Sequence, residues 1–178
     1  PALPDGLSLE ESGGISGIAR VLGDSNHTIT AGNLGGSISV DIRIITLHEA
    51  PNGLNYPGHP YHLNLGESVQ IIPMAGGGEI LHWLIEPPLP NGLELVQLDG
   101  SIRGTPIELH AIRTHYISAS NSGGELTVSI LIEVKDIAPV NLLYTPYEFD
   151  LTIGDDIGNI SPSWMDGIPT NWDITPNL

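Results

Sequence analysis

Seven histidines, two adjacent carboxylate pairs, a glycine run and two glycosylation sequons are the parts of this sequence that could do chemistry. His59 and His62 flank Pro60 and Tyr61. Two imidazoles with no third ligand type nearby make a poor transition-metal site. The pair reads as surface histidine in a segment leading into a strand. His27, His48, His82, His110 and His115 are scattered. Glu10-Glu11 and Asp155-Asp156 are paired carboxylates in turns. Glycosidase chemistry needs two carboxylates opposed across a cleft, which adjacency in sequence does not supply. The serines and threonines have no nucleophile-elbow context. Ala75-Gly76-Gly77-Gly78 lacks the lysine and helix that follow in a phosphate loop. With no cysteine, disulfides, thiolate metal sites and cysteine nucleophiles are excluded. No catalytic, cofactor-binding or metal residue is assigned, and the chain is read as not an enzyme.

Calcium is the one ion with a case to weigh. Asp136 lies in Val134-Lys135-Asp136-Ile137-Ala138-Pro139, at a junction between repeats, and could meet Asp155 or Asp156 of the following turn. Calcium takes six to eight oxygens, and only two or three are in sight here. The equivalent earlier junction offers Glu49 alone. The expectation is no cofactor, with calcium as the alternative. Asn26-His27-Thr28 and Asn159-Ile160-Ser161 fit the glycosylation sequon, which matters only where the source glycosylates.

Around these residues the chain is strongly acidic, with 21 acidic and 5 basic residues and a formal net charge of -16. So few cations exclude a nucleic-acid binder that works by neutralising phosphates, and they argue against docking on anionic lipid. Acidity of this kind keeps a protein soluble in salt. Hydrophobic residues make up 40% of the chain, enough for a core, while Gly 22 and Pro 15 suit many short strands joined by tight turns. No long apolar run is present, so no direct membrane insertion is expected within these residues.

The elements that would position any site repeat themselves. Leu3, Pro4, Gly6, Leu7 and Leu9 recur as Leu89, Pro90, Gly92, Leu93 and Leu95, and Ile15 and Gly17 as Ile102 and Gly104. Asn33, Gly35 and Gly36 return as Asn121, Gly123 and Gly124. Pro51, Tyr56, Leu65 and Gly66 meet Pro139, Tyr144, Ile153 and Gly154, and Trp83 meets Trp172. Three blocks therefore agree on a period of about 88 residues (33 to 121, 51 to 139). In that phase residues 51–138 form one complete repeat. Residues 1–50 are the C-terminal half of the preceding one, and 139–178 the N-terminal half of the next.

Within the repeat, Leu126, Val128, Ile130, Ile132 and Val134 alternate with mostly polar neighbours, as do Ile38, Val40, Ile42 and Ile44. Period-two alternation puts one face in a core. Residues 113–119 form the partner strand across Asn121-Ser122-Gly123-Gly124, a tight hairpin tip. Residues 61–65, 68–72, 80–86, 89–96 and 101–104 are further short strands. About seven strands per repeat, with no helical stretch, predict an all-β antiparallel β-sandwich with Trp83 in its core. The links from Thr46 to Pro51 and from Val134 to Pro139 are short, and their prolines predict a semi-rigid rod. One repeat would advance that rod by about 35 Å, the length of its last strand.

LPNGLEL (89–95), GSIRGTP (100–106) and YISASNSGG (116–124), followed by Ala138-Pro139 and Leu143-Tyr144, resemble the putative-Ig tandem repeats of large microbial surface and adhesin proteins. Gly17-Ile18-Ala19 replaces Gly-Thr-Pro in the first repeat, and Trp164 and Met165 depart from the pattern in the third. The resemblance implies tandem immunoglobulin-like antiparallel β-sandwich repeats, export, an extracellular or cell-surface location, and arrays in adhesins, stalks or fibres. It transfers no catalytic residue.

Three functions fit: a structural stalk, fibre or filament; an adhesin module holding a glycan or protein through its loops; and a spacer of a larger exported enzyme. Trp164, Trp172, Tyr144 and Tyr147 are the aromatic candidates for the second, unless they fill a core. The expected partners are neighbouring repeats, or copies of the same chain end to end. Residues 139–178 of one copy would then complete residues 1–50 of the next, with Leu178 near the Pro1 end of its neighbour. A window cut from a longer continuous array is the preferred explanation of the phase, because a half sandwich alone would be a hazard before assembly.

Overall fold

The structure, a computed structural model, describes residues 2–176. Among these residues there is no helix; fifteen strands follow one another from β1 to β15. The expected meeting of Leu178 with Pro1 lies outside the described residues.

Residues 52–135 form a two-layer sandwich. One sheet holds β6 (Tyr61–Asn64), β13 (Gly124–Lys135), β12 (His110–Asn121) and β9 (His82–Glu86), in that order. The other holds β10 (Leu93–Leu95), β11 (Ile102–Gly104) and β7 (Val69–Ile71). Only β6 runs parallel to its neighbour, along the edge of β13. This is immunoglobulin topology: β9, β12 and β13 stand as strands C, F and G, and β7, β11 and β10 as B, E and D. The buried tryptophan of strand C is Trp83. Where antibody domains bridge B to F with a disulfide, Ile71, Ile117 and Ala119 meet in one apolar cluster.

The alternation read from the sequence carries the packing. Ile130, Ile132 and Val134 of β13 and Ile117 and Ala119 of β12 are buried, and their in-between neighbours face outward. Within this sandwich two strands were not foreseen, β5 (Asn52–Asn55) and β8 (Met74–Gly76). They pair with each other around a register shift. Both are short and contain glycine, so no period shows in them. The strand read over 113–119 also starts earlier, at His110, before an irregularity between His110 and Arg113.

Hairpins flank this sandwich. On one side β1 (Leu7–Leu9) pairs with β2 (Ile15–Gly17), and β3 (Gly23–Asn33) pairs with β4 (Gly36–Thr46) along its whole length. On the other, β14 (Pro139–Leu143) pairs with β15 (Ser163–Asp166).

The repeated Gly-Leu and Ile-x-Gly motif has one local geometry in both places. Leu93 N–H donates to Pro90 O, Thr105 N–H to Gly92 O and Ile107 N–H to Asn91 O, at 2.9–3.1 Å. Leu7 N–H to Pro4 O, Ile18 N–H to Gly6 O and Arg20 N–H to Asp5 O repeat the pattern at 3.0 Å. Gly92 and Gly104 both have positive φ, and a Cβ on either would overlap a carbonyl oxygen of the facing strand. Gly6 and Gly17 stand in the same relation. The turn departs from Gly-Thr-Pro in β2 yet keeps these bonds, because they use backbone and glycine only.

Candidate functional site

The chain's distinctive surfaces are its two inter-repeat junctions and the uncovered apolar faces beside them.

At the first junction the link Leu47–Ala50 is gripped from two sides. The tip between β12 and β13 supplies side chains. Ser122 Oγ accepts from His48 N–H at 3.0 Å, and Asn121 Nδ2 donates to Glu49 O at 2.7 Å and to Glu79 O at 2.9 Å. Asn121 Oδ1 meanwhile accepts from Gly123 N–H at 2.8 Å, which fixes the tip itself. The loop after β8 supplies close approach: a Cβ at Gly78 would overlap the Glu49 carbonyl oxygen. Gly123 is equally tight against the His48 carbonyl.

The second junction repeats the loop half of this grip. Gly167 lies against the Ile137 carbonyl oxygen as Gly78 lies against that of Glu49. The tip half is open. A groove runs there, lined by Asp136–Pro139 and Ile168–Asn171. The first link is thus held by close glycine contacts and by bonds to residues more than seventy positions away. Pro51 is buried, while Pro139 is exposed and pairs with Asp166 within β14–β15.

The flanking segments carry the same apolar residues as the sandwich but leave them uncovered. Ile102 is 0% exposed and its counterpart Ile15 is 39%. Tyr56 is 1% and Tyr144 43%; Trp83 is 6% and Trp172 53%. Leu3, Leu7, Leu9 and Ile29 line an apolar cavity beside His27.

The residues singled out for chemistry are dispersed. His62, in β6, bonds Glu133 Oε2 through Nδ1 at 2.7 Å, and Lys135 Nζ lies 3.1 Å from the same oxygen. The His62 bond, then the Lys135 bond, hold the Glu133 carboxyl below its ordinary range. His59 is exposed. Asp136 Oδ1 accepts from Ile137 N–H, Asp155 Oδ2 from Thr152 N–H and Asp156 Oδ1 from Gly158 N–H, so each carboxylate serves its own turn. Glu10 accepts from Ser8 and Ser16. Asn26 and Asn159 are exposed. Among the described residues no three His, Cys, Asp or Glu gather in a way that could hold a metal ion, and no helix is long and apolar enough to cross a membrane.

Sequence reasoning passed over His110 and His115. Both are held in the sandwich with ring centroids 6.0 Å apart. His115 Nδ1 lies 2.9 Å from the Pro87 carbonyl, which can only accept, so Nδ1 carries the proton. Alternation along β12 was the available signal: His115 falls in phase with Ile117 and Ala119.

No protein-family model matches the chain, and no curated protein matches it. Among solved structures it is similar to Drosophila OTK extracellular domains 3–5, with 18% identity and a TM-score of 0.43 over 75% of this chain and 47% of that one. It is similar to Sidekick-1 immunoglobulin domains 1–5 at 14% identity and a TM-score of 0.39, over 75% of this chain and 30% of that one. The titin Ig tandem A164–A165 gives 16% identity and a TM-score of 0.37, over 64% and 63%. The chain spans about half of the OTK structure and under a third of the Sidekick-1 structure. The immunoglobulin-like assignment rests on the strand order and pairing above.

Proposed function

We propose that this chain is a stretch of an exported tandem array with a structural or adhesive role, built from units 1–50, 51–138 and 139–178 as half, whole and half immunoglobulin-like repeats. The observation that carries the reading is the repeated junction. Gly78 against the Glu49 carbonyl and Gly167 against the Ile137 carbonyl are the same close, backbone-defined contact one period apart, which supports a stiff rod over loose beads. The resemblance to putative-Ig repeats of surface proteins points the same way, as does the acidity of the chain. It implies an extracellular or cell-surface location.

The glycan-binding reading draws on Trp164 and Trp172, whose rings meet edge to face at 6.0 Å. Trp172 occupies the position of the core residue Trp83, however, and core filling accounts for it more simply. Negative-stain electron microscopy of the native material tests the array. Extended rods with an axial repeat of about 35–45 Å are expected, from the length of the last strand. Compact particles of unrelated shape would overturn the reading.

A further inference from the structure

We propose that His110 is the latch of an acid-opened flap, residues 108–112, at the end of the middle sandwich that adjoins the second link. At neutral pH the flap lies closed against β12 and β13. In mild acid His110 leaves its seat and takes the flap with it.

The flap hangs on one strand pair. Before it, Gly66 N–H donates to Pro106 O, and Thr105 N–H and Ile107 N–H donate to Gly92 O and Asn91 O, so the chain is pinned as far as Ile107. After it, β12 is paired without a break from Arg113, opposite Ile132, to Asn121, opposite Gly124. Between these anchors His110 pairs with Val134, and Ala111 and Ile112 have no register partner on β13. This is a bulge: three steps along β12, from His110 to Arg113, oppose two along β13, from Val134 to Ile132. A bulge re-aims a side chain and interrupts the ladder where it does so.

The preceding repeat is a built-in comparison. Its β3–β4 hairpin runs without irregularity from Gly23, opposite Thr46, to Asn33, opposite Gly36. One period on, Gly23 and Thr46 are the places of Ala111 and Val134. The bulge therefore moves His110 into the seat that an unbroken ladder would give to Ala111. His27 stands at the place of His115 and is buried as well, whereas Leu22 stands at the place of His110. Both repeats carry the buried histidine, and the middle repeat adds the bulged one beside it.

The seat suits a neutral ring. The His110 and His115 rings lie 6.0 Å apart, tilted by 37°. His115 is 0% exposed and donates from Nδ1 to the Pro87 carbonyl. Its Nε2 and the Nδ1 of His110 are buried with no hydrogen-bond partner among the described residues. As lone pairs these nitrogens cost little; as protonated groups they would be buried cations with no acceptor.

The charged groups on the elements packed against the pair give no relief. Burial is the main obstacle to a second proton on His115; the Pro87 bond favours it, and His110 and Arg113 oppose it. Glu133, next to Val134, is taken by His62 and Lys135. Glu86, next to Pro87, and Glu108, in the flap, are exposed.

Acid finds its outlet at His110. That residue is half-buried and held by one pair, whereas His115 sits in the unbroken part of β12. Swinging His110 into water solvates its charge and opens the vacated seat beside His115. The end of β13 stays in place, because Val134 and Lys135 remain paired with Leu63 and Asn64, and Leu65 N–H with Lys135 O at 2.8 Å. The opening is therefore local. It removes one of the two neighbours that brace Val134, just before the second link departs.

NMR relaxation on the 178-residue chain at pH 7.5 and 5.5 tests the latch. Backbone order parameters over 108–112 should fall in acid from the rigid range, about 0.85, to below about 0.6, while those over 115–121 stay rigid. The His110 ring titration and the loss of order should share one midpoint. His110→Leu, which installs the residue of the preceding repeat, should keep 108–112 rigid at both pH values. A flap equally ordered or equally mobile at the two pH values would overturn the proposal. So would acid opening that persists in His110→Leu, or loss of order that extends through 115–121.

Discussion

Tyr56 donates its hydroxyl hydrogen to the Gly100 carbonyl over 2.6 Å, tying the start of the middle sandwich to the turn between β10 and β11. Burial pushes the phenol well above its ordinary pKa, so it stays a neutral donor at any working pH. The same turn lies on Trp83, whose ring a Cβ at Gly100 would approach to 2.5 Å. Tyr56→Phe should cost about 1–2 kcal/mol, the usual loss when a buried bond is removed and its acceptor is left unmatched. Trp83→Ala should cost about 3–5 kcal/mol through the cavity it leaves. Urea unfolding followed by circular dichroism reads both, and a silent Tyr56→Phe would mean the carbonyl finds another donor.

Asn121 holds two polypeptide segments and its own turn at once. Asn121→Ala removes the donors to Glu49 O and Glu79 O and the acceptor for Gly123 N–H. The first junction should loosen more than the sandwich weakens. Small-angle X-ray scattering should show a broader distribution of interatomic distances for the variant, while the unfolding midpoint falls by the equivalent of about 1–2 kcal/mol. Unchanged scattering would assign the stiffness to Gly78 and Gly123 alone.

Strict alternation in β4 and β13 made the long hairpins legible, because period two leaves no other element to consider; the face it marks is buried in β13, whereas in β4 Ile38 and Val40 are exposed. The repeat exposed the motif Leu-Pro-x-Gly-Leu as a structural unit before its purpose was visible. Its purpose is backbone crossing at Gly92 and Gly104, and side-chain chemistry plays no part. β5 and β8 were illegible because Asn52–Asn55 and Met74–Gly76 are too short and glycine-bearing to show a period. The junction grip was hidden for another reason. Asn121 and Glu49 are far apart in sequence, and asparagine at a hairpin tip already has a sufficient local explanation. Gly78 and Gly167 correspond at a shift of one repeat, so that half of the grip could have been found by carrying the alignment into the loop.

Asp136, Asp155 and Asp156 each accept a backbone N–H in their own turns. A calcium ion would have to draw at least two of them out of those bonds and still find most of its six to eight oxygens elsewhere. Chelation with EDTA, or addition of millimolar calcium, should leave the thermal transition and the scattering profile unchanged. A rise in transition temperature with calcium, lost in Asp136→Asn, would establish a site at the second junction.

The middle sandwich should lose stability as pH falls from neutral, and His115 should be the cause. Burial pushes its imidazole below the ordinary value; the bond to the Pro87 carbonyl opposes this, and His110 and Arg113 nearby add to it. With Nδ1 donating to Pro87, a second proton would have to go on Nε2, which is buried without a partner among the described residues. The unfolded chain takes up that proton near pH 6.5. The folded chain takes it up only at lower pH, so between the two values the unfolded state holds more protons and stability rises with pH. Stability conferred by keeping His115 neutral is present above pH 6.5 and is lost as pH falls from there to the folded value. The lowered carboxyls of Asp99 and Glu133 act in a separate, more acidic window. Hydrogen exchange of β12 and β13 amides at pH 7.5 and 5.5, corrected for intrinsic rates, should show weaker protection at the lower pH. In His115→Phe the two protections should converge, whatever the new baseline. A pH dependence that survives the substitution would place the titrating group elsewhere.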